Sequence, residues 1–545
     1  MPDPGPLPPL DPSPHYFGRD GVFVATGEEA ADLDRRSMTP LPRGAGIRPG
    51  VLMESAGRTA AAVLHHLRPR GPILVLAGSG GNGGDGVVLA RTLHAAGRDV
   101  TLQVVGDRPH PDPLLHGHSL RILRGPALDP VELARAAVVV DAVLGIGVRG
   151  AVRPPLAELL QGVEAFRGDG EHPFVVALDL PSGVEAKTGV VHGAALSAHL
   201  TLAFGAAKLG SFLGEGRRRT GRLVVLDIGF PPWPERGASG QLVTPGWARS
   251  RRPVRAPDAH KKSAGRLLLL AGSPGMAGAA VLAARAALLS GVGYLQVVAD
   301  SRTRGILQAS VPEALVVEPD RARELVGEVD AVAAGPGMGT DPEAPGPRLL
   351  TELLSGDPPR ALLLDADALT LLARGHLSLP APSGPGATRP RRRILLTPHP
   401  GEMARLEGGT SPEAEASEDP LRRARALAVR MGVCCLLKGS PTIVAGPEAR
   451  RPVLVAPTSS PALARAGMGD VLTGVAAGLM AQGLLPEHAA GVALHLTGRA
   501  ADLAGRGHPM GPSDVLHHLP AAWAEEGDGS TDLPGPFILY DRGPP

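Results

Sequence analysis

The stretch GPILVLAGSGGNGGDGVV, residues 71–88, decides the fold class. Its first apolar run, 73–76, reads as a buried strand, and its second, 87–93, is compatible with a helix. Between them lie six glycines within the nine residues 78–86, interrupted by Ser79, Asn82 and Asp85. Strand, glycine-rich loop and helix is the order in which an α/β fold offers backbone N–H groups to an anionic ligand. Few side chains obstruct such a loop, so a ligand can reach the backbone itself. Asn82 and Asp85 are then the groups there with the most chemistry. The pattern is neither the G-x-G-x-x-G dinucleotide fingerprint with its helix in register nor the G-x-x-x-x-G-K-[ST] loop. A plain glycine turn is the competing reading.

The chain has 545 residues, too many for one core, and 43% of them are apolar. Its formal charge is +1, from 55 basic and 54 acidic residues, which leaves no electrostatic case for nucleic acid. The short arginine runs at 217–219, 251–255 and 391–393 read as solvated linkers or loops. The two cysteines, Cys434 and Cys435, are adjacent in an apolar run. Strand neighbours point to opposite faces, so the two do not bond to each other and read as buried thiols of a reducing compartment. No basic-then-apolar leader opens the sequence, and no uninterrupted apolar run is long enough to cross a membrane. A cytoplasmic protein with no membrane partner is expected.

Working outward, residues 1–20 hold seven prolines and read as a disordered tail. From 21 to 248, apolar runs at 73–76, 100–105, 138–143, 174–178, 200–204 and 223–228 alternate with helical patterns at 52–67, 87–96 and 131–136. That alternation predicts a parallel sheet wrapped by helices. The polar, proline-bearing segment RSRRPVRAP, 249–257, marks a domain boundary. A second α/β series occupies 255–525, with strands expected at 267–270, 295–298, 331–334, 361–364, 393–396, 433–437 and 453–455. Residues 381–392 read as an exposed insertion and 526–545 as a second tail.

In the first domain, polar groups fall at expected strand ends. Asn82 and Asp85 follow the first strand, Asp141 closes 138–140, and Asp179 closes 175–178 just before Pro181-Ser182-Gly183. Open parallel sheets bind ligands outside the carboxyl ends of their strands, so these groups should converge on one pocket. Hard oxygen donors of this kind suit a metal cation without nitrogen or sulfur. Capping of the next helix is the alternative for each Asp taken singly.

Here the chain resembles the NAD(P)H-hydrate epimerases. The resemblance rests on Leu52 to Gly57, Asn82-Gly83-Gly84-Asp85-Gly86, Asp141 through Gly147, Asp179 to Gly183 and Thr201 through Lys208, in that order. It implies a Rossmann-like domain that interconverts the R and S forms of NAD(P)HX, the hydrated nicotinamide cofactors. It implies potassium on Asn82, Asp141 and Ser182, and substrate contacts from Gly81, Asn82, Gly83, Gly84, Asp85, Gly145, Ile146, Gly147, Val148, Arg149 and Gly150. It places the acid/base carboxylate at Asp179 and makes Lys208 a candidate for the dinucleotide phosphates. The family usually has Asn-Asn-Gly-Gly-Asp where this chain has Gly81-Asn82.

In the second domain the strongest motif is Ala464 to Gly474, ARAGMGDVLTG. Gly-x-Gly-Asp before an apolar helix sets backbone N–H groups and the positive helix end beside a carboxylate. The donors can steady a transferring phosphoryl group while the carboxylate takes a proton from the attacking hydroxyl. An Asp that merely caps the helix is the alternative. Gly335 to Gly339, Asp365 to Leu369, Thr397 to Glu402 and Leu437 to Thr442 lie at other expected strand ends. This set is similar to the ADP-dependent NAD(P)H-hydrate dehydratases of the ribokinase-like superfamily. The similarity implies that ADP, with magnesium, phosphorylates the hydroxyl of S-NAD(P)HX and that phosphate then leaves. Asp470 is the implied catalytic base. Gly337, His399, Pro400, Gly401, Glu402, Met403, Ala404, Arg405 and Asp470 are implied at the hydrate. Lys438, Gly439, Ser440, Pro441, Thr442, Ala466, Gly467, Met468 and Gly469 are implied at the nucleotide. The chain departs from the family at Ser459-Ser460, Arg465 and Met468.

The expectation is therefore a two-domain α/β enzyme that acts on NADHX and NADPHX as a homo-oligomer. The rival is a ribokinase-like small-molecule kinase fused to a ligand-binding Rossmann-like domain.

Overall fold

The structure, a computed structural model, describes residues 16–168, 172–232, 237–258, 260–356, 359–380, 393–409, 419–457, 461–505, 507 and 509–543. Most of the first tail and all of the 381–392 insertion lie outside these residues, as do Ser459 and Ser460. The chain divides into two units, Met1–Gly246 with Asp528–Pro545, and Trp247–Gly527.

In the first unit the strands are β1 (Tyr16–Gly18), β2 (Phe23–Ala25), β3 (Ile73–Ala77), β4 (Val100–Val104), β5 (Arg121–Arg124), β6 (Val138–Ala142), β7 (Phe174–Leu178), β8 (Leu200–Phe204), β9 (Ala207–Lys208), β10 (Arg222–Leu226) and β11 (Gly240–Leu242). The central order is β10-β8-β7-β6-β3-β4-β5, all parallel. Strands β3, β6 and β7 are buried along their whole length, as continuous Val/Leu/Ile runs covered on both faces must be. Register puts Asp141 opposite Leu76 and Ala177, so a carboxylate stands inside the sheet near the carboxyl end of three central strands.

The glycine stretch differs from expectation in one respect. The helix Gly81–Ala95 begins inside it rather than after it. Packing is the reason. A side chain at Gly83 would stand 1.9 Å from the Gly78 carbonyl oxygen, and one at Gly86 would stand 2.5 Å from Ala142 Cβ. These glycines let the helix lie directly on β3 and β6, and that gain outweighs their poor helix propensity.

The second unit holds β12 (Arg266–Leu270), β13 (Tyr294–Val298), β14 (Leu315–Val317), β15 (Ala331–Ala334), β16 (Ala361–Leu364), β17 (Arg393–Leu396), β18 (Cys434–Leu437), β19 (Thr442–Ala445) and β20 (Val453–Ala456). Strands β14-β13-β12-β15-β16-β17-β18 are parallel, and β19 and β20 extend them antiparallel. Cys434 and Cys435 are buried and free in β18, as the sequence implied.

The expectation of a loose tail from 526 is corrected. Two last strands, β21 (Gly529–Ser530) and β22 (Ile538–Arg542), belong to the first unit. Strand β22 is antiparallel to both β1 and β10. The physical reason is a long-range charge pair. Arg222 on β10, 1% exposed, donates to Asp541 on β22, 0% exposed, at 2.7 and 2.9 Å, and also reaches Asp532.

Candidate active sites in the two units

In the first unit the carboxyl ends of β3, β6 and β7 open into a cavity of about 970 Å3. Its walls include Gly81, Asn82 and Asp85 of the helix after β3, the loop Gly145 to Gly150 after β6, and Asp179 after β7. Asp34, Phe204 and Lys208 also line it. The strand-end groups singled out in the sequence thus converge, whereas Gly83 and Gly84 are buried in helix packing.

Behind this wall lies an oxygen-rich cluster. Ser182 Oγ–H donates to Asp141 Oδ1 at 2.6 Å, and the Ser182 and Val143 N–H groups donate to the same carboxylate at 2.7 and 3.2 Å. Asn82 Nδ2 donates to the carbonyls of Leu144 and Leu178 at 2.7 and 3.1 Å. Its Oδ1 is buried without a hydrogen-bond partner. Burial pushes the Asp141 carboxyl up to about 6, against the hydrogen bonds from Ser182. An orphaned buried oxygen beside a desolvated carboxylate is an environment a bare cation would satisfy. No group of three or more His, Cys, Asp or Glu suited to a metal occurs among the described residues.

Asp179 has φ 66°, a left-handed conformation rare outside glycine and a form of strain found at functional sites. Its carboxylate is held by the Phe204 N–H at 3.1 Å and by the Lys208 ammonium. Lys208 also donates to the carbonyls of Phe204 and Ala206, each at 3.1 Å. All three ammonium protons are thereby used, so Lys208 steadies Asp179 and is not free for a phosphate. Burial drives the Asp85 carboxyl well above the ordinary range, with Asp179 and Asp34 adding to the effect. Asp34 is raised to about 6, chiefly by burial, with Lys208 opposing. Asp34 was not legible as a site residue, because one more charge on a charged amphipathic helix carries no local signal.

In the second unit Gly467, at φ 89°, turns the chain into the helix Met468–Ala481. Asp470 is the third residue of that helix and accepts no hydrogen bond from the described residues, so it is not a cap. Burial, with Asp365 next, raises its carboxyl to about 7. Asp365 is 1% exposed at the end of β16. It accepts from Lys438 Nζ and from Thr473 Oγ1, each at 2.6 Å. Its neighbour Ala366 has φ 45°, a second strained non-glycine residue. Asp367 accepts the Gly339 N–H at 2.9 Å, which ties the Gly335 to Gly339 turn to the same place.

His399 caps the helix Pro400–Glu407. Its Nδ1 accepts from the N–H groups of Gly401 and Glu402, and Glu402 accepts the His399 N–H at 2.8 Å. The Glu402 carboxyl is raised by burial and by Asp365, with Lys438 opposing, so this helix start belongs to the same charged cluster. Met403 and Ala404, 0% and 8% exposed, face the core, while Arg405 is exposed. The Thr442 hydroxyl closes the turn Lys438 to Thr442 on the Gly439 carbonyl at 2.9 Å. Two functions were missed in the sequence. Asp365 and Thr473 were quoted in motifs without a role, and Lys438 is an ion-pair partner before it is anything else.

Two family signatures match the chain. One is NAD(P)H-hydrate dehydratase, over residues 267–520, and the other is YjeF-related protein N-terminus, over 49–210. The bifunctional NAD(P)H-hydrate repair enzyme of Salinibacter ruber is 36% identical over 534 residues, covering 89% of this chain and 94% of its own length. That of Moorella thermoacetica is 35% identical over 539 residues, covering 92% and 96%. A crystal structure of an ADP/ATP-dependent NAD(P)H-hydrate dehydratase from Bacillus subtilis, obtained with ATP and Mg2+, is 30% identical. It covers 52% of this chain and 97% of that one, at a TM-score of 0.44.

Proposed function

The chain belongs to the bifunctional NAD(P)H-hydrate repair enzymes, and from that premise we propose that it performs both steps of the repair. The first unit interconverts R- and S-NAD(P)HX. The second dehydrates the S form to NAD(P)H, consuming ADP and giving AMP and phosphate. The observation that carries this reading is the span of the match, 534 residues and 94% of the relative, which includes both units.

The chemistry follows from the residues. Hydroxide leaves carbon poorly and phosphate leaves well. In the second unit the Asp470 carboxylate takes the proton of the substrate hydroxyl as its oxygen attacks the β-phosphorus of ADP and AMP departs. The N–H groups at the start of Met468–Ala481 face the transferring oxygens with the positive end of the helix. The C–O bond then breaks with the electron pair on phosphate, the ring nitrogen supplies its lone pair, and loss of a proton from the next carbon restores the double bond. The sum is NADHX plus ADP to NADH, AMP and phosphate. A carboxyl near 7 is suited to the role, since it is partly ionised at neutral pH and still basic.

Potassium fits the first unit. Asn82, Asp141 and Ser182 would hold it, and the unpartnered Asn82 Oδ1 is the supporting observation. Such an ion would supply a fixed positive charge behind the substrate wall. Magnesium fits the second unit as a companion of the nucleotide phosphates, since the described residues form no all-protein carboxylate cage. No helix among the described residues is long and apolar enough to cross a membrane.

The test is Asp470→Asn. ADP-dependent recovery of NADH should fall by about 10²–10⁴-fold while R/S interconversion continues. Near wild-type recovery, or accumulation of a stable phosphorylated small molecule by the unaltered protein, would overturn the reading in favour of a kinase.

A further inference from the structure

We propose that Asp34, on the helix Gly27–Met38, is a catalytic residue of the epimerase unit, the second proton-transfer group that complements Asp179. The inference rests on the epimerase reading above and assigns a role that the strand-end motifs do not reach.

The reaction demands two such groups. Hydration of a dihydronicotinamide places the hydroxyl on the ring carbon next to the nitrogen. That carbon is inverted when its C–O bond breaks and re-forms on the other face. The leaving oxygen must gain a proton, and the entering water must lose one. In one direction the Asp34 carboxyl gives its proton to the hydroxyl, the C–O bond breaks with its electrons on oxygen, and water leaves. The ring-nitrogen lone pair forms a C=N bond. Water then adds to the opposite face, its proton passes to the Asp179 carboxylate, and the C=N electrons return to nitrogen. The reverse direction exchanges the two roles, and no other reactant is consumed. A single carboxyl on one wall cannot serve both faces, which is why paired carboxyls recur in displacements at such carbons.

The structure supplies the pair on separate elements. Asp179 follows β7, and Asp34 comes from a helix whose start is fixed by a reciprocal cap between Thr26 and Glu29. Both line the 970 Å3 cavity, together with Asp85 and Lys208. The neighbouring acid on the same helix, Asp32, is engaged by Arg35 and Arg36, whereas the Asp34 carboxyl makes no hydrogen bond and no ion pair with the described residues. Asp34 also stands in the wall of a second cavity of about 430 Å3, formed with Ala31, Arg35, Met38, Thr39 and Pro49. It therefore borders both the large cavity and a second, more open depression that adjoins it through Met38 and Pro49, a position from which a proton can be exchanged with solvent. The charged groups acting on it are Lys208 and Asp179, with Asp85 beyond. A carboxyl near 6 holds both protonation states near neutral pH.

The experiment uses the full chain with R-NADHX, measuring R/S exchange without ADP. Exchange by the unaltered protein tests the epimerase reading itself, and the variants test Asp34. Asp34→Asn should lower kcat for exchange by about 10²-fold or more with little change in KM. Consumption of S-NADHX with ADP should be unchanged. Asp34→Ala should be as slow and should recover in added formate, which restores a carboxylate but not a structural contact. Exchange by Asp34→Asn within threefold of the unaltered protein, a change confined to KM, or failure of formate to restore Asp34→Ala would each overturn the proposal.

Discussion

Replacing Asp365 by Asn tests how the second unit sets the basicity of Asp470. The Asp470 carboxyl stands at about 7 rather than 3.8, a rise of about 3 units, with burial the largest cause and the Asp365 charge the next. Asn at 365 leaves the burial in place and removes the charge. It also releases Lys438, whose ammonium now sits 2.6 Å from Asp365 and already acts to lower Asp470. Both effects act in one direction, and a fall of about 1 unit, about 1.4 kcal/mol, is expected. The base works as the carboxylate, so dehydration should rise with pH through the Asp470 value and then level off. At pH 6 a base of pKa 7 is about 9% ionised and one of pKa 6 about 50%. Normalised to its own plateau, Asp365→Asn should therefore run about fivefold faster at pH 6. The assay is kcat/KM for NADH appearance from S-NADHX and ADP between pH 5 and 9. A limb that stays at 7, or moves upward, would refute the electrostatic link between the two aspartates. A lower plateau alone would not, since Asp365 also orients Lys438 and Thr473.

Three further outcomes are expected. Asp179→Ala should halt consumption of mixed NADHX once the S form is gone, read as NADH yield against total hydrate, whereas complete consumption at the unaltered rate would remove Asp179 from the mechanism. Potassium should raise the thermal stability or exchange rate of the first unit, and Asp141→Ala should abolish that response; equal melting in potassium and in a large organic cation would discard the ion site. Asp541→Asn removes the buried charge that accepts two hydrogen bonds from Arg222 and leaves the partly exposed Asp532 as its remaining anionic partner; it should cost the first unit about 1.5–3 kcal/mol in urea unfolding followed by epimerase activity, with a loss below about 0.5 kcal/mol counting against the β22 staple.

What the sequence conveyed and what it withheld divide along one physical line. Buried parallel strands need both faces apolar, so β3, β6, β7, β12, β15 and β16 stand out as short hydrophobic runs, and the alternation with helices leaves a doubly covered sheet as the consistent architecture. Ligands gather where such strands end, so Asn82, Asp141 and Asp179 could be singled out from position along the chain, and Asp470 from the Gly-x-Gly-Asp motif that opens its helix. The features that escaped depend on partners distant in sequence. Strand β22 reads as a polar-apolar scrap after glycine and proline, and Arg222, 319 residues earlier, together with the Thr531 hydroxyl, gives its Asp541 a reason to be buried. The start of the helix at Gly81 contradicts local propensity because Gly78 and Ala142 leave no room for a side chain at Gly83 and Gly86 in its first turns. Lys208 is open to a phosphate role in the sequence, but its three protons go to the distant Asp179 and to the Phe204 and Ala206 carbonyls of its own turn. Asp34 is the extreme case, since its helix displays acids and arginines together and only the cavity distinguishes the carboxylate that faces substrate from the one that pairs with arginine. A strand end advertises a site because topology fixes what lies beyond it. A helix residue does so only once the rest of the cavity is known, and in this enzyme that cavity also holds Asp179, the proposed partner in the proton transfer.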